Sequence, residues 1–421
     1  MNEVIPQGWQ QRKLRDFAKE VKDNNTNLEN YEVLSVTKYD GFVSSLKYFK
    51  KQVYSKDTGK YKIVKKGDFA YSTIHINEGS IALLKDFNVG LISPMYTVFR
   101  IDETVDSEYL LNLLRSHKYI QIYDAIGQGS VNRRKSVPYT LLSSLDLTLP
   151  PLSEQQKITA ILSSVDEAIE KTEQLVTQTE KVKKGLMQQL LTKGIGHTKF
   201  KKTAIGEIPE EWEVIPLKTI INSLKAGVSV TSENREKNKG EIGILKTSSV
   251  TNRRFDPLEH KTILPHEVSR ASMNPKFDHI LISRMNTEAL VGASSYVDKN
   301  YDDLFLPDRL WQAEVNEDYC TLWLSYVLTS SSMRSKISNI STGTSGSMKN
   351  ISKTSFLDLV VPTPKYSEQK RITDVLIKFD DKIQAESNKK EVLNMLKKGL
   401  MQQLLTGKVR VPIEDDEVVE A

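Results

Sequence analysis

The sequence has few of the residues that would support a disulfide framework, a thiolate metal site or a membrane-spanning segment. Its 421 residues include a single cysteine, Cys320, so no internal disulfide can form. Because Cys320 stands beside Leu322 and Trp323, we expect it to be a small buried residue. The chain contains no uninterrupted apolar run of membrane-spanning length, and its N-terminus has no basic-then-apolar signal pattern. We therefore expect a cytoplasmic protein without membrane contact.

Signals for catalysis are also sparse. The chain has no phosphate-binding G-x-x-x-x-G-K-[ST] pattern, and its six histidines show no metal-binding i, i+4 pair. Its one Pro-Pro pair, at 150–151, lies between leucines and lacks the aromatic neighbour with which an amino-methyltransferase holds a flipped base. A nuclease site built from Asp308, Glu368 and Lys370 is disfavoured because Glu368 belongs to a repeated helix start. We predict no catalytic residue, metal or cofactor in this chain.

Charge indicates a polyanionic partner, although weakly. The formal net charge is +5, and residues 413–421 hold five acids and no base, so residues 1–412 carry +10. A moderate basic excess of this kind favours contact with nucleic acid but does not establish it.

One stretch of the chain occurs twice. Residues 153–194 begin SEQQKITAILSSVDEAIEK and end KKGLMQQLLTKG, and residues 367–408 begin SEQKRITDVLIKFDDKIQA and end KKGLMQQLLTGK. The offset of 214 positions is constant from the first motif to the last. The two copies are therefore expected to fold alike, and the segments between them to be equivalent modules.

The apolar spacing in each copy predicts one long helix. Apolar residues recur mostly at alternating intervals of four and three, which is typical of a coiled-coil seam, and about 40 residues make a rod of about 60 Å. We expect a Ser-Glu pair to cap each start and a glycine to end each helix. Because so narrow a seam needs a partner, we expect the two helices to pair. The candidate seam and docking residues are Ile158, Leu162, Ile169, Leu186, Leu190, Ile372, Leu376, Ile383, Leu400 and Leu404.

The remaining sequence divides into two modules that share an opening and an order of elements. Ile5-Pro6-Gln7-Gly8-Trp9 opens the first module, and Ile208-Pro209-Glu210-Glu211-Trp212 opens the second. Short β-rich runs, one or two helices and a polar Gly-Ser loop follow in both, which predicts an α+β fold. The predicted boundaries are module 1 at 1–150, helix 1 at 151–194, a linker at 195–207, module 2 at 208–364, helix 2 at 365–408 and an acidic tail at 409–421.

The module interiors differ far more than the helices, and the differing stretches are rich in groups suited to nucleic acid. Lysine and arginine neutralise phosphates, whereas Asn, Gln, Arg and Ser can contact base edges. The candidates in the first module are Lys38, Tyr39, Lys47, Tyr48, Lys50, Lys51, Gln128, Ser130, Asn132, Arg133, Arg134 and Lys135. Those in the second are Lys225, Ser229, Thr231, Lys246, Thr247, Ser248, Arg253, Arg254, Arg284, Asn286, Thr344, Ser347, Lys349 and Asn350.

Taken together, the duplicated module and helix, the P-x-x-S-E-Q helix start and the K-x-G-L-M-Q-Q-L-L-T helix end resemble the specificity subunit of Type I restriction-modification systems. KKGDFAYS with LISPMYTVFR (65–72 and 91–100) and KAGVSV with GEIGILKTSS (225–230 and 240–249) are similar to target recognition domains of that family. His279 departs from the pattern, because it stands where a counterpart of Asp68 is expected and Asp278 is displaced by one position.

The resemblance implies two target recognition domains, each binding one half of a bipartite site on double-stranded DNA. It implies two long antiparallel helices that separate these domains and dock two methyltransferase subunits. Those partners would use S-adenosylmethionine to methylate adenine, and restriction subunits, where present, would use ATP and Mg to cleave. Two alternatives remain open at this stage: an enzyme that acts on DNA by itself, and a coiled-coil adaptor for other proteins.

Overall fold

A computed structural model describes residues 5–128, 135–343 and 348–412 of the chain. Its residues divide into two compact units. The first unit combines residues 1–173 with 387–421, and the second consists of residues 174–386. Each unit has its own hydrophobic core and is described separately below.

The first unit begins with a module of short strands and helices. Its strands are β1 (Gln10–Lys13), β2 (Ala18–Val21), β3 (Val33–Thr37), β4 (Gly41–Ser44), β5 (Lys62–Lys65), β6 (Phe69–Ser72), β7 (Ile81–Leu83), β8 (Val89–Ile92), β9 (Tyr96–Ile101) and β10 (Asp146–Leu149). Its helices are α1 (Ser45–Phe49), α2 (Ser107–Leu114), α3 (His117–Ile126) and α4 (Tyr139–Leu142).

Two four-stranded sheets and one strand pair organise this module. The first sheet is antiparallel in the order β2-β9-β6-β7, and the second has the order β4-β3-β8-β5, with β3 and β8 parallel. Strand β1 pairs with β10 next to the start of the first long helix. Phe69 and Phe99 face each other across β6 and β9, and their rings stack 4.9 Å apart. Aromatic cross-strand pairs of this kind stabilise the register of a sheet.

Helix α5 (Leu152–Lys193) follows, and the second module begins after it. The strands of this module are β11 (Phe200–Thr203), β12 (Gly206–Pro209), β13 (Glu213–Pro216), β14 (Ile221–Ala226), β15 (Ser232–Glu233), β16 (Gly243–Leu245), β17 (His260–Ile263), β18 (His279–Ser283), β19 (Met285–Asn286), β20 (Ser294–Val297), β21 (Leu304–Phe305), β22 (Leu310–Val315), β23 (Lys349–Asn350) and β24 (Val360–Thr363). Its helices are α6 (Leu217–Ile220), α7 (Thr321–Thr329), α8 (Ser331–Asn339) and α9 (Lys353–Leu357), and α10 (Tyr366–Leu404) comes last.

The second module repeats the antiparallel sheet of the first and three strands of its other sheet. The fourth strand differs, because β15 pairs with β17, the counterpart of β4, whereas β5 pairs with β8. Its antiparallel sheet has the order β14-β22-β18-β20, and its other sheet, β15-β17-β16-β21, contains the parallel pair β16 and β21. Strands β13 and β24 pair as β1 and β10 do. The internal duplication predicted from the sequence is therefore present in the fold, and the α+β class is confirmed. Cys320 is buried, as its apolar neighbours predicted.

The departure at His279 has a structural explanation. In the first module Gly67 adopts a left-handed φ of +89° and precedes Asp68, and in the second Asp278 adopts a left-handed φ of +58° and precedes His279. His279 therefore occupies the place of Asp68. Asp68 forms a bidentate ion pair with Arg100, at 2.6 and 3.0 Å. In the second module Glu314 of β22 lies opposite His279 of β18. The acidic residue is therefore on β22 there, whereas in the first module the acidic residue, Asp68, precedes β6 and the basic residue, Arg100, lies on β9.

The two long helices are confirmed, and their ends differ slightly from the prediction. The residue that begins α5 is Leu152 and the one that begins α10 is Tyr366, so Ser153 and Ser367 lie inside the first turn and do not cap it. Helix α10 ends at Leu404, four residues before the predicted boundary. Left-handed glycines follow both helices, Gly194 with a φ of +65° and Gly407 with a φ of +67°. A side chain at Gly407 would also collide with Pro6 and crowd Trp9.

Within each unit, the start of one long helix lies beside the end of the other, so the pairing is antiparallel. In the first unit Ile158 of α5 and Leu404 of α10 belong to one core, and Lys397 bonds Asp166 at 2.6 Å. In the second unit Leu190 of α5 and Ile372 of α10 share a core. Lys183 and Asp380, each 214 positions from its counterpart, repeat the ion pair there.

A glutamate carboxylate fixes the start of each long helix. Glu154 of α5 accepts hydrogen bonds from the Trp9 indole at 3.2 Å, from Arg410 at 2.8 and 2.9 Å, and from the Val411 amide. Its side chain is fully buried. We call this group the first carboxylate clamp; it joins the module opening, the start of α5 and the segment after α10.

The second unit holds an equivalent clamp. Glu368 of α10 accepts from the Trp212 indole at 3.0 Å, from the Ile195 amide at 2.9 Å, and contacts the His197 ring at 2.9 and 3.0 Å. The glutamine after each glutamate repeats as well: Gln155 donates to the Pro150 carbonyl and Gln369 to the Pro364 carbonyl, both at 2.9 Å. The S-E-Q motif thus bonds each helix start to its own module.

We predict that Glu154→Gln lowers the free energy of unfolding by about 2 kcal/mol, because several donors lose an ionised acceptor. The exposed variant Glu173→Gln, which loses only an ion pair with Lys390, should cost less than about 1 kcal/mol. Burial raises the pKa of Glu154, but the bonds from Arg410, Val411 and Trp9 outweigh it and leave that pKa below its ordinary value.

A depressed pKa gives this interaction a defined pH dependence. The ionised form is favoured in the folded chain, so the stabilisation is fully present above the unfolded pKa, about 4.3, and is lost as the pH falls through the lower folded value. Urea titrations of both variants between about pH 3 and 7 measure this. The difference between wild type and Glu154→Gln should shrink towards acid; a difference independent of pH would contradict an ionised clamp.

Candidate nucleic-acid interface

The basic and aromatic candidates of the first module lie on its surface around the turn between β3 and β4 and along α1. Tyr39 is 81% exposed at the turn, and the Lys38 ammonium lies 5.3 Å from the centre of its ring. Lys47 and Tyr48 lie on α1, and Lys50 and Lys51 follow it. The Tyr48 hydroxyl donates to Asp40 at 3.2 Å, and this bond together with the nearby negative charge raises the pKa of Tyr48.

The second cluster predicted in this module falls mostly outside the described residues. Ser130, Asn132, Arg133 and Arg134 lie in 129–134, which the structure does not describe. Gln128 and Ser136 exchange backbone hydrogen bonds on either side of this segment, and the Lys135 ammonium donates to the Asp124 carbonyl at 3.0 Å.

The candidates of the second module divide by whether their charge is already paired. Arg284 donates to the Asp308 carbonyl at 2.7 Å, and the same aspartate accepts from the Ser229 hydroxyl. Lys246 lies 3.8 Å from Glu259, which also accepts from Ser248 at 2.5 Å.

Several other candidates of this module lie elsewhere on the unit. Lys225 on β14 and Arg253, which adopts a left-handed φ of +61°, are exposed and have no ion-pair partner among the described residues. Arg254 donates to Gln384 of α10. Thr231 donates its amide to Glu267, and Thr247 begins a 3-10 turn.

The polar loop near the end of the second module is described only in part. Asn286 on β19 pairs with Lys349 on β23, and Met285 pairs with Asn350. Lys349 also donates to the Gly343 carbonyl at 3.1 Å. Thr344 and Ser347, predicted here, lie outside the described residues.

Most of the predicted docking residues on the long helices are not free surface. Six are buried in the core of a unit, namely Ile158, Leu162, Leu190, Ile372, Leu376 and Leu404. The other four, Ile169, Leu186, Ile383 and Leu400, are half-buried. A buried side chain offers no direct contact to a separate subunit, so these residues hold the helices to their modules and to each other.

An exposed apolar patch on α10 escaped the sequence analysis. Val392, Met395 and Leu396 are 58%, 66% and 48% exposed, and their i, i+3, i+4 spacing places them on one face of the helix. The spacing could have revealed them, but the sequence analysis did not select them as candidates. We call these three residues the α10 patch.

The tryptophans also had a role that the sequence did not reveal. Trp9 and Trp212 predicted only where each module begins, whereas the structure joins them to the clamp glutamates. Because each tryptophan and its glutamate are themselves repeated, the duplication could have marked these four residues as structurally important, although it could not show that they pair.

Within residues 5–128, 135–343 and 348–412, the structure brings together no group of three or more His, Cys, Asp or Glu side chains suited to a metal ion. No helix among them is long and apolar enough to cross a membrane.

Comparison with known proteins decides the family. The family model for the Type I restriction modification DNA specificity domain matches residues 6–180 and again residues 209–395. This chain belongs to the Type I restriction-modification specificity subunit family. The two matches agree with the internal duplication seen in the fold.

Curated relatives of this specificity subunit extend over its whole length. A Methanocaldococcus jannaschii protein described as the type I restriction enzyme MjaX specificity subunit is 30% identical, with 97% of this chain and 95% of the relative covered. The MjaVIII specificity subunit of the same organism is 27% identical, with 97% and 94% covered.

Solved structures share the fold of this specificity subunit. A structure described as the basis of complex assembly and conformational transition of the type I R-M system has a TM-score of 0.58 at 16% identity, covering 96% of this chain and all of that one. The S subunit from M. genitalium has a TM-score of 0.56 at 13% identity, covering 96% and 98%.

We predict that Lys225→Ala with Arg253→Ala lowers the salt dependence of DNA binding. Each cation that contacts a phosphate contributes about one unit to the slope of log affinity against log salt concentration, so the slope should fall by up to about two units. Fluorescence anisotropy with a duplex between about 50 and 300 mM salt measures it.

Arg235→Ala is the matched control in the same module. Arg235 already bonds Glu233 and both oxygens of Glu241. The bonds from Arg235, together with one from the Asn238 amide, lower the pKa of Glu241 to about 2. Its removal should change the slope by less than half a unit or so. Equal slopes for all three proteins would place Lys225 and Arg253 away from the DNA.

Proposed function

We propose that this specificity subunit is the non-catalytic DNA-reading component of a Type I complex, and that each module binds one half of a bipartite target. The observation that supports this proposal is that the chain forms two compact units. Each has its own core and an antiparallel four-stranded sheet of the same order, yet the exposed basic segments differ between them. A duplicated scaffold with divergent polar surfaces fits two readers with different sequence preferences.

In this proposal the chemistry belongs to partner subunits. Two methyltransferase subunits would supply S-adenosylmethionine and methylate adenine, and restriction subunits, where the system has them, would supply ATP and Mg for cleavage. Support comes from the family and from the solved structure whose description names complex assembly of the type I R-M system. The long helices would dock the methyltransferases and set the distance between the half-targets.

The decisive test is to select bound duplexes from a random library with the assembled complex and to map methylated adenines in host DNA. We expect one bipartite, asymmetric site. Replacing residues 1–150 with another first module should change one half of that site and leave the other unaltered. A replacement that alters both halves, or binding without sequence preference, would contradict two independent readers.

We predict that Val392→Asp with Leu396→Asp releases the methyltransferase subunits while the chain stays folded. Both side chains lie in the exposed α10 patch, where a new charge costs little in the free chain but must be desolvated in an interface. Gel filtration with the methyltransferase measures the complex. Asn394→Asp, an exposed change on the same helix outside the patch, should leave it intact.

Substitutions at the half-buried seam residues Leu186 and Leu400 should lower stability, in contrast to substitutions in the exposed α10 patch. Leu186→Asp or Leu400→Asp places a charge where the helices meet their own unit, so circular dichroism should report a lower melting temperature. A stable, fully assembled complex for both pairs of variants would exclude the helices as the docking site.

We predict that the length of the helix pair sets the gap between half-targets. Four alanines inserted after Glu173 in α5 and four before Ser387 in α10 lengthen both helices by about 6 Å, and one base pair rises about 3.4 Å. The preferred gap should therefore grow by about one to two base pairs, with the half-target sequences unchanged. Selection from a library of variable spacers measures the gap.

Four alanines inserted between Lys239 and Gly240, in a surface turn of the second module, are the control and should leave the gap unchanged. If the variant with the helix insertions folds and binds DNA but prefers the original gap, the length of the helices does not set the distance between the half-targets.

A further inference from the structure

Helix α1 and the turn after it expose four large apolar side chains of the first module. Leu46, Tyr48, Phe49 and Val53 are between 42% and 52% exposed, although they lie within eight residues of one another. Leu46 and Phe49 are three positions apart and therefore share one face of the helix. Because water disfavours grouped apolar surface, such a patch marks a place where something binds. We call Leu46 and Phe49, with Tyr48 beside them, the α1 wedge.

The wedge is held in position by its own module. Ser45 at the start of α1 is buried and shares a 2.8 Å hydrogen bond with Ser35 of β3. The Tyr48 hydroxyl donates to Asp40, and the Tyr48 and Phe49 rings meet edge to face at 5.1 Å. Lys50 then ends the helix with a left-handed φ of +53°. A lysine in this conformation is strained, and such residues cluster at functional sites.

The charges around the wedge indicate what binds it. Lys47, Lys50 and Lys51 stand on or directly after α1, and none has an acidic partner among the described residues. Asp40, the acid nearest in sequence, is engaged by Tyr48. Apolar side chains flanked along the chain by unpaired lysines match the surface of a nucleic-acid duplex, which offers stacked bases between rows of phosphates.

We propose that the α1 wedge inserts into the minor groove of the half-target read by the first module and unstacks one base step. This inference rests on the proposed function and adds to it a means of discrimination. Leu46 and Phe49 press between the bases, while Lys47, Lys50 and Lys51 neutralise the flanking phosphates. The duplex bends, and sequences with easily unstacked steps are favoured at positions that no hydrogen bond contacts.

The second module has no such element at the corresponding place. After β17, the counterpart of β4, the chain forms a 3-10 turn over Pro265–Arg270. Glu267 of this turn accepts from the Thr231 amide at 3.2 Å and from Arg270 at 2.7 Å. No large exposed apolar side chain lies in that turn. The wedge therefore distinguishes the two halves of the target.

The test uses the complex of this chain with its methyltransferase subunits and a selected duplex. A donor and an acceptor dye flank the first half-target, and 2-aminopurine within it reports unstacking. We expect the wild type to raise energy transfer and 2-aminopurine fluorescence on binding. Leu46→Ser with Phe49→Ser should abolish both signals and weaken binding about tenfold or more, with the salt slope unchanged. Lys47→Ala, Lys50→Ala and Lys51→Ala together should instead lower the slope by up to about three.

Leu258→Ser with Phe277→Ser is the matched control, because these second-module side chains are 67% and 54% exposed. It should leave both signals from the first half-target unchanged. If the wedge variant keeps the bend and the affinity, the wedge does not touch DNA. If it binds DNA normally but loses the methyltransferase, the patch is a protein contact and the proposal fails. A wild-type complex without sequence preference would instead overturn the proposed function itself.

Discussion

The fold depends on the way in which each long helix is shared between two hydrophobic cores. The start of α5 contributes Ile158 and Leu162 to the core of the first unit, and its end contributes Leu190 and Leu191 to the core of the second. Helix α10 does the reverse: Ile372 and Leu376 lie in the core of the second unit, and Leu404, with Leu405 directly after the helix, lies in the core of the first. Because burial of each such side chain is worth about 1.5 to 3 kcal/mol, neither helix can leave without opening both cores.

The two units show which contacts a duplicated scaffold must keep. The clamp glutamates, the glutamines after them, the Lys183–Asp380 and Lys397–Asp166 ion pairs and the parallel strand pair recur in both. The clamps still differ in one partner, Arg410 in the first and His197 in the second. The exposed segments have changed freely, since a substitution there disturbs no packing. The contacts at the helix ends are therefore kept in both units, while the exposed segments vary.

The sequence predicted the features that repeat, because an exact offset of 214 positions made the helices and the module openings visible. The antiparallel direction of the helix pair was implied by the family resemblance and not by the offset. The sequence did not predict the clamps, since a tryptophan and a glutamate 145 residues apart meet only through tertiary folding. It also did not identify the exposed apolar face of α10. A seam pattern selects positions that become buried, and the exposed side chains of Met395 and Leu396 lie partly outside that pattern. In the segment of the wedge, the sequence analysis selected only the lysines and tyrosines as candidates. Leu46 and Phe49 were missed because only the fold shows that they are exposed.

The first unit is discontinuous along the chain, and this orders events during synthesis. Residues 174–386 are contiguous, so the second unit has all of its own residues before the chain is finished. The first unit lacks Leu404, Leu405 and the Arg410 that bonds Glu154 until residues 404–410 have been synthesised. A prematurely terminated chain therefore carries a first module with an open core and an unpaired buried carboxylate. Folding of the first unit is therefore completed only after all residues of the second unit have been made.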